Sequence, residues 1–235
     1  MKKVYLILIL FCFSLSFSQK ITFHSHLQAI YSFRFRQDPA QNKISKEVVG
    51  LYIGDGQSVF QDERKYKIDS VLASQKYSQL LSMPMFRVNH VIFKNFKNSG
   101  ITYSERVDKI ILGYREPQPD MQWKLIGEKK TILGYECYKA ETDFRGRSYT
   151  AWYTPAISIP DGPYKFSGLP GLILEVYDDK YHFHYQLLQV INQPKEILYD
   201  TDISFTKRKK LSRAQMDNIR KNKKLDVPFN PIEKE

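Results

Sequence analysis

Cysteine is nearly missing from this chain of 235 residues: there are two, Cys12 and Cys137. A disulfide-stapled scaffold is therefore excluded, and stability must come from a packed core. Long apolar runs are missing as well. The longest, at 4–13, is half of the roughly 20 residues that a membrane-spanning helix needs. No repeat with a period of roughly 20–50 residues appears. The signatures G-x-S-x-G, H-E-x-x-H, the P-loop and G-x-G-x-x-G are also missing, so the sequence points to no enzyme and no cofactor. Collagen, coiled coil and multi-span membrane protein are excluded with them.

What is present is aromatic and ordinary in polarity. Hydrophobic residues make up 42% and charged residues 26%, the usage of a globular domain. A disordered chain would lack the 16 Tyr and 15 Phe found here, and such aromatics favour strands.

The amino end reads as an export signal. Lys2 and Lys3 precede the apolar run, and Ser16 and Ser18 stand at −3 and −1 before Gln19. Cleavage after Ser18 is expected, giving an exported, periplasmic or outer-membrane-associated protein of 19–235. Phe11 ahead of Cys12 fits a lipoprotein cleavage site badly. The mature chain then keeps one cysteine, Cys137, which reads as a small buried hydrophobe.

Positive charge is concentrated. The net charge is +11, and 207–224 holds nine basic residues against one acid, Asp217. The rest of the chain is nearly neutral, which argues against nucleic-acid binding. Ser212 followed by Gln215 forms a capping-box pattern, and Ala214 and Ile219 offer a thin apolar stripe. The segment reads as a solvated helix or tail, dispensable for folding. In the sharper alternative, Lys207, Arg208, Lys209 and Lys210 make peripheral contact with an anionic membrane surface.

Alternation and turn signals predict an α+β fold that is mainly antiparallel β: one domain, 19–235, with a curved sheet and a few helices. Strands are expected over 19–35, 47–53, 57–66, 88–96, 102–113, 131–142, 147–154, 172–177 and 181–190, and a helix over 68–81. Phe144-Arg145-Gly146 and Asp178-Asp179-Lys180 read as hairpin turns.

Within 155–171, seven of 17 residues are Pro or Gly, interleaved with Ile157, Ile159, Tyr164, Phe166 and Leu169. This pattern predicts a rigid crossover, anchored by its apolar residues, with Pro170-Gly171 in a type II turn. Tyr164 and Phe166 are placed at its outer surface.

Gly168-Leu169-Pro170-Gly171-Leu172-Ile173 resembles the GLPGLI family of Bacteroidetes-type exported proteins. The likeness extends through Ile132-Leu133-Gly134-Tyr135-Glu136-Cys137-Tyr138-Lys139-Ala140, the stretch Ala151-Trp152-Tyr153-Thr154 and the run from Ile159 to Phe166, and is most specific over 123–190. The resemblance implies export, often beside outer-membrane transporters, and no assigned activity. The Trp-Tyr pair followed by Leu-Pro before a strand is also similar to the lipoprotein-carrier group, whose fold is a curved half-barrel covered by helices. Candidate ligand or partner contacts are Trp152, Tyr153, Tyr164, Phe166, Gly168, Leu169, Pro170 and Gly171.

Catalytic and metal chemistry is sparse. His182 and His184, like His24 and His26, are spaced to share one face of a strand, but two imidazoles are a thin ligand set. Glu136, Glu141, Asp143 and Glu175 are expected to face solvent from strands. The functional expectation is an exported, non-catalytic binding or carrier-like protein offering a concave apolar face to a lipid-like ligand or apolar peptide. The alternative is an accessory protein for an outer-membrane transporter.

Overall fold

The computed structural model describes residues 20–65, 87–107, 110–200, 212–222 and 232–233. The export segment, the helix expected over 68–81 and Lys207, Arg208, Lys209 and Lys210 lie outside the described residues.

Thirteen strands and one helix are described. They are β1 (Lys20–Ser25), β2 (Leu27–Arg36), β3 (Ile44–Gly54), β4 (Gln57–Asp62), β5 (His90–Asn95), β6 (Gly100–Val107), β7 (Ile110–Pro117), β8 (Lys124–Ile132), β9 (Tyr135–Phe144), β10 (Arg147–Thr154), β11 (Leu172–Asp178), β12 (Phe183–Ile191), β13 (Lys195–Asp200) and α1 (Arg213–Asn222). Eleven strands form one sheet in the order β7-β6-β5-β4-β3-β2-β12-β11-β10-β9-β8, and β1 pairs with β13 apart from it. Every pairing is antiparallel.

The two edges of this open sheet, β7 and β8, are consecutive in the chain and joined by residues 118–123 alone. Strands lie about 4.8 Å apart, so a flat sheet of this width would separate its edges by about 48 Å. A linker this short reaches about 25 Å at most. The sheet must therefore curl. Arg145, in the turn between β9 and β10, duly meets Glu116 of β7 at 2.9 Å. The sheet nevertheless stays open, and helix is scarce among the described residues.

Curling gives the sheet two unlike faces. Inward go Tyr31, Phe33, Val49, Leu51, Phe60, Ile92, Tyr103, Tyr114, Tyr149 and Tyr185, which belong to one buried core. Phe33 stacks on Tyr185 across β2 and β12 with ring centroids 4.1 Å apart. Outward, the β1–β13 pair covers Tyr52, Val59 and Val91 with Phe23 and Ile197 as a second, smaller core.

Two expectations change here. The strand expected over 131–142 is a hairpin, turned at Leu133 (φ 49°) and Gly134 (φ 84°). A primed turn needs positive φ at both central residues, and Leu133 gave no such signal. The Ser212–Gln215 capping box is formed: the Ser212 N–H donates to Gln215 Oε1 at 2.8 Å and the Gln215 N–H to Ser212 Oγ at 3.2 Å. Among the described side chains of α1, however, the buried apolar one is Met216, in the main core, while Ala214 is exposed. α1 thus adds one buried side chain to the main core.

Candidate functional site

Residues 161–167 of the crossover 155–171 are buried, and Tyr164, Phe166 and Leu169 join the main core of the curled sheet. Its backbone is built from narrow turns. N–H groups of Ile159, Asp161 and Gly171 donate to carbonyls two residues back, Ile157, Ile159 and Leu169, each at 2.7 Å. Pro160 and Pro170 stand at the centres of two of these three-residue turns, where a fixed φ near −65° suits the inverse γ conformation. The type II turn expected at Pro170-Gly171 is thus replaced by a tighter one. Leu172 N–H instead bonds to the Ile157 carbonyl at 3.0 Å, tying the end of the loop to its start.

Gly171 has φ 152°, and a Cβ placed there would lie 2.1 Å from the Thr154 carbonyl oxygen. Backbone approaches backbone at this point, so glycine is a steric requirement. Tyr164 (φ 55°) and Phe166 are not at the outer surface. They are 3% and 0% exposed, because the loop lies under the sheet rather than over it. Phe166 packs edge-on against Tyr149, with centroids 4.7 Å apart. Leu169 is buried as expected.

Two buried lysines clamp the loop to the β5–β7 wing. Lys94 and Asp161, both without solvent exposure, form an ion pair. The Lys94 ammonium also donates to the Gly162 carbonyl at 2.7 Å, and the Gly162 N–H donates to Asp161 Oδ1 at 2.7 Å. Burial pushes the Lys94 ammonium below its usual range, and the Asp161 charge and hydrogen bond oppose that shift. Lys165, also fully buried, lies among the rings of Tyr103, Tyr114 and Tyr164 at 5.0–5.5 Å. It pairs with Glu116 at 2.7 Å and with Glu233 at 2.5 Å.

Other candidates are buried or paired as well. Trp152 is buried under Lys130, whose ammonium stands 4.2 Å from the ring centroid, and Tyr153 is buried too. Glu175 does not face solvent. It pairs with Lys130 and accepts a 2.6 Å hydrogen bond from His184 Nε2. The other ring nitrogen, Nδ1, accepts from Arg34 at 2.6 Å, since a guanidinium can only donate. Burial pushes the Glu175 carboxyl up, but the hydrogen bonds from His184 and Lys130 and the Lys130 charge outweigh it, and the net shift is downward. His182 is not joined to His184: it lies 3.4 Å from Arg147, which holds the fully buried Asp178. Asp178 also accepts from the Phe183 N–H at 2.7 Å, so it shapes the turn. Burial pushes the Cys137 thiol up to about 11, away from the reactive thiolate. Among the described residues, no three His, Cys, Asp or Glu side chains converge as a metal-binding set.

Sequence reading missed an outer groove of about 600 Å³. It runs between β1 and the ends of β4–β7, over Phe23 and Phe93, with Gln57, Asn95, Asn98 and Arg115 at its sides. Its walls come from four strands of the main sheet and one outside it, so no local pattern announces it. A second, shallower depression of about 420 Å³ lies over β8–β10, beside Lys124, Glu141 and Asp143.

Comparison with known proteins places this geometry. A family model described as "Protein of unknown function (Porph_ging)" matches residues 145–175, the hairpin turn at Arg145 through the crossover to Glu175. No curated protein matches the chain significantly. Solved structures of PNGF-II are similar in fold. In space group C2 the TM-score is 0.53 at 19% identity, covering 83% of this chain and 32% of that one. In space group P21 the TM-score is 0.54 at 17% identity, covering 84% and 33%. The chain spans about a third of the length of the PNGF-II chains it matches, and the likeness at this identity is one of fold alone.

Proposed function

We propose that this chain is an exported, non-catalytic interaction module that recognises a partner on its outer surface, as an accessory protein of the cell envelope would. The observation that carries this reading is the burial of the crossover in the core. A carrier of the half-barrel kind needs an enclosed apolar space, and here the crossover occupies it with Tyr164, Phe166 and Leu169. The outer groove, with an aromatic floor and amide-bearing sides, has the dimensions of a recognition surface. Use of this fold as a third of the longer PNGF-II chain suits a module that works beside other parts.

The signal-like amino end supports export, the GLPGLI-type motif supports an envelope setting, and the basic segment 207–224 supports added contact with an anionic membrane. The carrier-like reading, with a lipid-like ligand inside the curl, would require the crossover to leave.

The test is site-specific photo-crosslinking in the envelope of the producing cell. A crosslinker at Asn98, exposed at the groove rim, is expected to capture a defined partner. One at exposed Leu188, on another part of the sheet, is expected to capture little. Equal capture from both positions, or a bound lipid in place of a protein, would overturn the reading.

A further inference from the structure

Glu233 is held more elaborately than a surface carboxylate needs. Its oxygens meet Lys165 at 2.5 Å, the Tyr164 hydroxyl at 2.6 Å, Arg213 Nε at 3.2 Å and the Arg145 guanidinium. These partners come from the crossover, the head of α1 and the turn between β9 and β10. The residue before it is seated as well: the Ile232 carbonyl accepts from the Tyr149 hydroxyl at 2.9 Å, and its side chain packs on the main core. Burial pushes the Glu233 carboxyl up, but the charge and hydrogen bonds of Lys165, with Tyr164 and Arg145, outweigh it, and the net shift is downward.

Charge makes this seat a receptor. Lys165 is 0% exposed, Arg145 19% and Arg213 23%, and Glu233 meets all three. Without Glu233 the fully buried Lys165 loses a carboxylate partner, and an under-compensated buried charge is costly. Planar guanidinium groups also favour a carboxylate over a spherical anion.

We infer that Lys165, Arg145, Arg213 and Tyr164 form a carboxylate-recognition site whose resident ligand is the chain's own Glu233. The adjoining apolar seat of Ile232 extends it into a site for a short peptide, an apolar residue followed by an acidic one. In the described structure the chain fills the site in cis. A partner bearing the same two-residue pattern, including a second copy of this chain, has the chemistry to fill it in trans.

Chemical rescue tests the inference on the full chain. Glu233→Gly should melt roughly 10 °C below wild type, the scale of losing one partner of a buried pair in a domain of this size. Sodium propionate should restore at least half of that loss, while sodium chloride at the same ionic strength should not, and wild type should respond to neither. If Glu233→Gly fails to fold in chloride, refolding with and without propionate reads the same question, and recovery only with propionate supports the site. A second arm uses the Ile232→Gly/Glu233→Gly variant and the amidated peptide Pro-Ile-Glu, with Pro-Ile-Gln as control. The glutamate peptide should bind at least about tenfold more tightly. An unchanged melting temperature in Glu233→Gly, propionate no better than chloride, or equal binding of the two peptides would overturn the inference.

Discussion

The inner and outer surfaces of the sheet use the same charged residues to opposite ends. Inside, Lys94, Asp161 and Lys165 have no exposure, and each is matched by a partner far away in sequence. Outside, Lys129 with Glu136 and Lys139 with Glu128 and Glu141 form pairs on the edge strand β8 and its neighbour β9, with at least one partner exposed. Buried pairs lose hydration and therefore demand complete, well-placed partners, whereas exposed pairs gain little from meeting. The inner pairs fix where the crossover lies. The outer pairs, with Lys124, Lys129 and Lys130 and the bulge between Ile126 and Lys129, keep an exposed edge from recruiting other strands.

The sharpest way to break this contrast is Gly171→Val. It drives a side chain into the Thr154 backbone, which cannot rotate away, and adds a β-branched residue at positive φ. We expect a loss of about 5 kcal/mol or more, enough to remove most folded protein in a domain stabilised by about 5–15 kcal/mol. Soluble yield and a melting curve measure it.

Lys94→Met comes next. It leaves Asp161 buried and unpaired, at a cost of about 3–5 kcal/mol. The double variant Lys94→Met/Asp161→Asn should recover part of that loss, because the stranded charge is gone. Denaturant titration of both variants gives the coupling between the two positions.

Acid should act through the buried carboxylates more than through the exposed ones. Glu233 and Glu175 have lowered pKa values when folded. The stability they contribute is therefore fully present above the ordinary carboxylate range, about 4.3, and is lost as pH falls through their lowered folded values. Melting temperature should drop on the acid side, and Glu233→Gln should flatten part of that drop. An acid limb of equal depth in Glu233→Gln would remove Glu233 from the account.

The smallest effect is expected from Lys129→Ala and Lys139→Ala. Their melting temperatures should match wild type within error at ordinary salt.

Much of the inner architecture was legible where the signal is local. Gly146 marked the turn after Phe144, Ser212 and Gln215 marked the head of α1, and the Pro and Gly content of 155–171 marked a rigid crossover. The direction in which that crossover points was not legible. It depends on Lys94 and Glu116, which are 67 residues from Asp161 and 49 from Lys165, and no spacing rule joins residues so distant. The same holds for Glu233, which is 88 residues from Arg145. Leu133 hid a hairpin because leucine carries no preference for positive φ. Glu175 was misplaced because alternation assigns a face, and that face proved to hold Lys130 and His184 rather than water.

The central claim is that the curled sheet is filled by its own crossover and binds on the outside. Native mass spectrometry of the protein, purified from the producing cell's envelope without detergent exchange, tests it most directly. The account predicts the bare mass of the polypeptide, with no small molecule retained. A stoichiometric lipid or other apolar ligand, released only on unfolding, would contradict it.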